Sequence, residues 1–412
     1  MANRMTAFNR LIVLFLILSP ILSSAQRQPS VELFTRPQKG FGFVTSDSSY
    51  SLKLQFRIQN RAAFNTEDVD DLTISNYEFR VRRLRLKLEG FVYDPKLTYY
   101  IQLSFSRGDM DWEGRENSIA NGTPNLIRDA VIYYTPTKNL RLGFGQTKLP
   151  GNRQRVVSSG DQQFVDRSIV NATFNIDRDF GLFADFMSDY VMLRGAITSG
   201  DGRNAIETNS GLAYTGRIEL LPFGRFTGEN DYIEGDLERE LTPKLSIAGT
   251  FSYNDKAVRE AGQLGNDLYA PRGIRNMEFD ALLKYNGWSW YNEYMKRDAP
   301  NPITQNPDDG SLRYILNGAG FLTQLSYLFT NNVEIAGRYS VIVPSEELYN
   351  NPAYPELNEP KREQVEVGVT KYLVGHRLKI QANVIRANHT DMLTDSPDGG
   401  FWSGIFQIEI GI

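Results

Sequence analysis

Tyr50-Ser-Leu-Lys-Leu-Gln-Phe-Arg-Ile-Gln-Asn-Arg-Ala-Ala-Phe64 decides the fold of this chain. Tyr50, Leu52, Leu54, Phe56, Ile58, Ala62 and Phe64 share one parity, and Ser51, Lys53, Gln55, Arg57, Gln59 and Arg61 share the other. Side chains of a strand point alternately to opposite faces, so one face here is apolar and the other polar and cationic. A strand of a soluble sandwich alternates too, but here the pattern recurs to the last residue. Leu97, Tyr99, Ile101, Leu103 and Phe105 oppose Thr98, Tyr100, Gln102 and Ser104. Val333, Ile335, Gly337, Tyr339 and Val341 oppose Glu334, Ala336, Arg338 and Ser340. The closing segment sets Phe406, Ile408, Ile410 and Ile412 against Gln407, Glu409 and Gly411. Strands repeatedly apolar outside and polar inside are the pattern of a transmembrane β-barrel.

Working outward, the rhythm predicts about sixteen strands. They begin near Tyr50, Asn76, Leu97, Leu126, Leu140, Asp179, Tyr190, Gly211, Leu245, Arg275, Trp288, Gly318, Val333, Glu363, Arg377 and Phe401. Their connections alternate in length. Asp94-Pro95-Lys96, Ser188-Asp189, Asn286-Gly287, Thr330-Asn331-Asn332 and Val374-Gly375-His376 carry the residues of tight turns. Between them lie long polar stretches at 66–75, 107–125, 147–178, 255–274, 298–317, 344–362 and 389–400. Outer-membrane barrels have this asymmetry, short turns at the periplasmic end and long loops outside. Tyr93, Tyr99, Tyr133, Tyr134, Tyr285, Trp288, Tyr327, Phe329 and Tyr372 crowd the short turns, where an interfacial aromatic belt belongs. Residues 223–244 break the rule, being long and charged where a turn is due, and read as a periplasmic excursion. In the second strand Tyr77, Phe79 and Val81 keep one phase and Leu84, Leu86 and Leu88 the other, so a bulge is expected near Arg82-Arg83.

Residues 1–25 read as an export leader, with Arg4 and Arg10 ahead of the apolar run Leu11 to Leu18 and small residues Ser23 and Ala25 at the cleavage point. The run is too short for a comfortable membrane span. Residues 26–40 then form a polar lead-in and 41–412 the barrel domain, which places the protein in the outer membrane of a Gram-negative-type bacterium. The chain has no cysteine, which removes disulfides and thiolate metal sites. A formal net charge of −4 argues against a nucleic-acid partner.

Two constellations carry the functional reading. Lys53, Arg57 and Arg61 share the inner face of the first strand, and Arg83, Arg85 and Lys87 that of the second. Neighbouring strands lie about 4.8 Å apart, so these six cations line one wall of a pore. Rows of Arg and Lys attract anions because a narrow, low-dielectric lumen focuses their field, and Arg grips phosphate or carboxylate bidentately. The alternative is charge pairing across the lumen with acids such as Glu219, Glu278, Asp280 and Glu334. The third long loop, 147–178, carries Lys148, Arg153, Arg155 and Arg167 beside Asp161, Asp166 and Asp177, and is long enough to fold inward and constrict the pore. Catalysis has little support. His376 and His389 sit in a turn and a loop with no partner motif, and no phosphate loop or cofactor motif occurs. Glu67, Asp68, Asp70 and Asp71 read as a solvated loop tip, with external Ca²⁺ binding the alternative.

Several stretches resemble the phosphate-selective porin O and P family. They are Asn76-Tyr-Glu-Phe-Arg-Val-Arg-Arg-Leu-Arg-Leu-Lys-Leu-Glu-Gly90, Asp129-Ala-Val-Ile-Tyr-Tyr134, Leu142-Gly-Phe-Gly-Gln-Thr-Lys-Leu-Pro150, Phe164-Val-Asp-Arg-Ser168 and Asp177-Arg-Asp-Phe-Gly181. The resemblance implies a sixteen-stranded barrel, usually trimeric, with its third loop folded inward. It also implies roles in anion passage for Arg83, Arg85, Lys87, Lys148 and Arg167. Lys53, Arg57 and Arg61 rest on alternation alone, and Arg153 and Arg155 on their place in the loop.

The expectation is an all-β outer-membrane porin that passes small polar solutes by diffusion and prefers anions of the phosphate type. It is not an enzyme and has no cofactor or metal. Its partners would be those solutes, outer-membrane lipid, the barrel-assembly machinery that reads the closing strand, and two further copies in a homotrimer. Two rivals stand beside it. One is a general or carbohydrate-preferring porin with Tyr100 and Tyr291 as stacking surfaces. The other is a plugged barrel serving as envelope scaffold or adhesin, with 26–40 and 223–244 as plug or docking segments.

Overall fold

The computed structural model describes residues 30–36, 40–106, 126–205 and 211–412. The leader, residues 26–29 and 37–39 of the lead-in, the loop 107–125 and residues 206–210 lie outside these residues.

Sixteen antiparallel strands close into a barrel. In chain order they are β3 (Ser51–Thr66), β4 (Ile74–Val92), β5 (Asp94–Ser104), β6 (Ile127–Thr137), β7 (Leu140–Lys148), β8 (Arg178–Met187), β9 (Val191–Thr198), β10 (Ala213–Leu220), β11 (Lys244–Arg259), β12 (Asp267–Tyr285), β13 (Trp288–Asp298), β16 (Gly318–Leu328), β17 (Val333–Pro344), β18 (Lys361–Val374), β19 (Leu378–Thr390) and β20 (Pro397–Gly411). Each pairs with its neighbour in sequence, and β20 closes on β3 from Ser403↔Asn65 to Gly411↔Arg57. Closure removes every free edge from the hydrocarbon layer, where an unpaired backbone group costs several kcal/mol. Among the described residues no helix is long and apolar enough to cross a membrane.

Among the described residues four further strands lie off the ring. β1 (Val31–Arg36) and β2 (Gly40–Thr45) form a hairpin, so part of the stretch read as a lead-in belongs to the sheet. β2 takes up the edge of β3 where β20 stops, with Phe41↔Leu54 following Gly411↔Arg57. Gly40 stands at that junction with φ +89, and a Cβ there would lie 2.4 Å from the Leu54 carbonyl oxygen. β14 (Ile303–Gln305) and β15 (Leu312–Tyr314) form a small hairpin within the connection 298–317. The connection 255–274 is mostly strand rather than loop. β11 and β12 stay paired through Ala257↔Arg272 and Arg259↔Asp267. One face of this extension packs Ala257, Leu268 and Ile274 against Ala299 and Ile315 of the next connection, so it is covered by protein rather than by lipid.

The bulge expected in the second strand is present. Gln59 pairs with Arg83 and Asn60 with Val81, which leaves Arg82 as the extra residue. Phe79 and Val81 therefore face outward in the same ring as Leu84 and Leu86, while Arg83 and Arg85 point inward. The aromatic belt is also present on the outer surface. Trp288 stacks on Tyr327 at 4.7 Å, and Tyr327 meets Phe329 at 4.9 Å. Two of its expected members turn inward instead. Tyr372 is buried and donates to Glu334, and Tyr133 lies 4.6 Å beneath the Arg141 guanidinium. Tyr134, one residue on, takes the outer place, as strict alternation requires.

Candidate functional site: the constricted lumen

The third long loop, 149–177, leaves β7 and enters the barrel. It carries two short helices, α1 (Arg153–Val156) and α2 (Ile169–Phe174). Ser168 caps α2 by accepting from the Asn171 amide at 3.1 Å. Val170 and Phe174 of α2 are buried against Met295, Leu322 and Ile342, which project inward from β13, β16 and β17. The wall makes room for this with glycines. A Cβ on Gly320 would lie 2.8 Å from Val170, and one on Gly368 would lie 2.9 Å from the Phe164 ring.

Between the helices, Ser158 to Gln163 lies across the cationic wall. Arg57 donates to Ser159 Oγ at 2.7 Å and Ser158 Oγ at 3.3 Å, and Arg85 donates to Ser159 Oγ at 2.9 Å. Gln59 donates to the Ser159 carbonyl at 3.0 Å. From β19, Lys379 donates to the carbonyls of Gly160 at 2.9 Å and Gln162 at 2.6 Å. Gly160 admits this contact, since a Cβ there would lie 1.9 Å from an Arg57 nitrogen. Asp166 pairs with Arg61 at 2.7 Å and lies 3.7 Å from Arg83.

The remaining cations named from the sequence divide between several places. Lys53 pairs with Glu89, and Arg57 lies 3.6 Å from Glu409 as well as holding the loop. Lys148 donates to the Val156 carbonyl at 2.6 Å, and Arg167 to the carbonyls of Gln154 at 2.7 Å and Val157 at 2.8 Å. Among the described residues, Lys87, Lys148 and Arg167 have no carboxylate partner. Arg155 pairs with Asp177. Arg153 lies apart from the cationic wall, on the far side of the lumen. It joins Arg217, Glu219 and Asp280 in a closed tetrad, with Arg153–Glu219 at 2.7 Å and Arg217–Asp280 at 2.6 Å. Two of the acids expected to neutralise the first two strands are thus occupied elsewhere.

The segment 223–244 does not hang free below the barrel. It turns up into the lumen and meets the third loop there. The Glu234 amide donates to the Asp161 carbonyl at 2.8 Å, and the Gln163 amide to Glu234 Oε2 at 3.0 Å. Lys284 of β12 anchors it by donating to the carbonyls of Ile233 at 2.7 Å and Gly235, and Asp236 accepts from the Gly287 amide at 2.7 Å. His376 Nε2 lies 3.1 Å from the Glu234 carbonyl, and burial pushes its pKa down to about 3. A neutral ring thus donates to the carbonyl through Nε2 and accepts from Lys379 through Nδ1 at 3.1 Å.

Lys379, Lys284, His376 and Glu234 were missed as functional residues. The period-2 phase of β19 and β12 carried the signal for the two lysines, whereas the sequence has no marker for what they grip.

Over β3 to β7 the lumen keeps a cavity of about 690 Å³, lined by Lys53, Glu89, Tyr100, Tyr133 and Arg141, with Phe34 at its mouth. Tyr100 faces this cavity, whereas Tyr291 lies under the third loop and does not. In the outer loop 67–73, Asp68 and Asp71 accept backbone amides of their own turn. No group of three or more His, Cys, Asp or Glu is placed to hold a metal among the described residues.

Burial alone would raise the Asp166 carboxyl, but Arg61, Arg82 and Arg83 hold it below the usual carboxylate range. A free aspartate titrates at about 3.9. The anchoring that ionised Asp166 supplies is therefore complete above about pH 4 and is lost as pH falls through the lower, docked value. Single-channel conductance is expected to rise as the bath is acidified below about pH 4. D166N should show the higher value already at pH 7, and a D166N conductance equal to that of the wild type at pH 7 would refute this anchoring role.

The model of the family described as phosphate-selective porin O and P matches residues 52–398. An uncharacterised protein of Aquifex aeolicus (strain VF5) is 21% identical over 89% of this chain and 92% of its own length. Among solved structures, the outer membrane channel DcaP of Acinetobacter baumannii superposes with a TM-score of 0.57 at 12% identity, covering 91% of this chain and all of that one. OmpF of Salmonella typhi, solved with daunomycin, gives 0.54 at 12% identity over 88% and 98% of the two chains. The trimer form of Vibrio cholerae OmpT gives 0.52 at 9% identity over 88% and 100%. These likenesses bear on the fold: a porin barrel of the outer membrane.

Proposed function

This chain belongs to the phosphate-selective porin O and P family, and from that premise we propose that its outer-membrane channel for small solutes prefers anions of the phosphate type. One observation carries the reading. The third loop narrows the lumen against the wall that holds Arg57, Arg61, Arg83, Arg85 and Lys87, and Lys87, Lys148 and Arg167 make no direct ion pair with a carboxylate among the described residues. In a lumen of low effective dielectric, cations without acidic partners leave a positive potential where the path is narrowest, which concentrates anions and excludes cations. Several other cations of the wall spend part of their charge on holding the loop, so the preference arises from a few groups.

Planar bilayers under a KCl gradient test it. The reversal potential should have the sign of chloride permeation, and phosphate added to one side should reduce chloride current. A cation-selective channel would overturn the reading. A weakly selective one with no phosphate block would favour the general or carbohydrate porin, whose support is the aromatic wall of Tyr100 and Tyr133 in the cavity. Assembly as a homotrimer is part of the proposal, on the precedent of the trimer form of OmpT. So is export through the leader 1–25.

A further inference from the structure

Glu278 of β12 and Glu293 of β13 project inward on adjacent strands, one step apart on the same face, since Glu293 pairs with Asp280 and Glu278 with Met295. Both are 1% exposed. Among the described residues, neither oxygen of Glu278 has a hydrogen-bond partner, nor has Oε1 of Glu293. Asn152, at the root of the third loop, is wholly buried beside them. Its Nδ2 donates to Glu293 Oε2 at 3.3 Å and to Asn171 Oδ1 at 3.1 Å, while its own Oδ1 has no partner. The two carboxylates thus leave three oxygens unmatched on one buried face, and turning over the Asn152 amide, which now presents Nδ2 to Glu293, would bring a fourth.

Among the described residues no neighbouring cation makes a hydrogen bond or ion pair with these oxygens, and Arg217 and Arg297 act on Glu278 only through space. Arg153 and Arg217 are matched to Glu219 and Asp280 within the tetrad. Arg297 donates to Asn276 Oδ1 at 3.0 Å and to the carbonyls of Thr173 at 3.0 Å and Asn175 at 3.5 Å. Buried ionised carboxylates left without partners are strongly destabilising. Their oxygens, with a side-chain amide oxygen, form a donor set suited to a hard cation, and calcium tolerates the irregular geometry of such a set better than magnesium does.

We propose that Glu278, Glu293 and Asn152 bind a divalent cation of the calcium class, which ties the root of the third loop to the barrel wall. The site is independent of the anion preference. It bears on how the loop is held, not on what passes it.

Full-length protein in detergent, stripped with EDTA, tests the site. Terbium is the probe, with Tyr291 two residues from Glu293 on the same face as sensitiser. Wild type should give tyrosine-sensitised terbium luminescence that calcium displaces, and calcium should raise its unfolding temperature. E278Q and E293Q, which keep the side-chain shape, should each lose at least tenfold in terbium affinity and lose the calcium-dependent rise. D70N/D71N in the outer loop should retain both. Absence of a terbium signal in wild type overturns the site. So does equal terbium binding by E278Q and wild type, or loss of the signal in D70N/D71N. A stability gain that follows pH but not calcium in wild type would show the pair sharing a proton instead, which also overturns it. If neither glutamine variant folds, N152D, which adds a ligand charge, should tighten terbium binding, and unchanged or weaker binding overturns the proposal.

Discussion

Deleting residues 152–172 is expected to raise single-channel conductance roughly twofold or more, since an unobstructed barrel of sixteen strands encloses an aqueous channel. The deletion is compatible with the fold. Gly151 already lies beside Ile176, and the Leu149 amide already donates to the Asp177 carbonyl at 3.0 Å, so residues 173–175 would be left as a short turn between segments already in contact. What is removed crosses the lumen and returns, from Asn152 beside Glu293 to Ser159 on β3 and β4 and back to Val170 against β13, β16 and β17. The segment 223–244 would then lose its contacts with Asp161 and Gln163 but keep its anchors on Lys284 and Gly287. It should therefore remain in place and cap the gain. Replacing 228–238 by a short turn in the same background should add a second increment, whereas that replacement alone should do less, because the loop would still cross the lumen. Bilayer recordings of the three variants order the contributions. Unchanged conductance on deleting 152–172 would place the narrowest point elsewhere.

Much of this architecture can be read from parity alone. Strands with water on one side and lipid on the other must alternate, so β3, β5, β11, β17 and β20 declare both their extent and their facing. Even the Arg82 bulge is visible, as the residue at which Val81 and Leu84 change phase. Parity fails where the lumen holds protein instead of water. β13 places Trp288, Trp290 and Tyr294 outward and Tyr291 and Met295 inward, so large apolar side chains appear on both faces, the inner ones beneath the third loop and interspersed with Ser289, Glu293 and Arg297. Leu322 and Ile342 turn inward for the same reason. Such doubly apolar strands mark where a loop docks, which offers a local sequence cue for an inward fold.

The pairing of charges is not legible in this way. Arg153 and Arg155 are two residues apart, yet one reaches Asp280 and the other Asp177. Those partners are fixed by the course of the loop, which no period encodes. Nor does composition distinguish a segment hanging in the periplasm from one that rises into the barrel. For 223–244 the decision rests on Lys284, an inward lysine that finds carbonyl oxygens to bind.

Replacing Arg57, Arg83 and Arg85 together by Glu is expected to abolish or invert the selectivity of the channel. Arg57 and Arg85 are cross-strand partners, and Arg83 lies one inward position from Arg85, so all three changes fall on one patch of wall. A unit charge at 4 Å is worth about 1 kcal/mol in water and about 4 kcal/mol at an effective dielectric near 20. Each 1.4 kcal/mol shifts relative ion occupancy about tenfold, so even one reversed charge at the lower end is measurable. The same arginines also hold Ser158 and Ser159. Charge reversal should therefore loosen the loop tip as well, and conductance should rise alongside the change in reversal potential. The triple Lys variant separates the two effects. It keeps the charge but loses the forked donors, so it should keep the sign of selectivity while the tip loosens. Salt near 1 M, where the screening length is about 3 Å, should compress the difference in selectivity but leave the difference in conductance. If the Glu variant keeps the native reversal potential, the wall serves only to hold the loop. The anion preference would then rest on Lys87, Lys148 and Arg167 or be absent, and a K87E/K148E/R167E variant decides between those two outcomes.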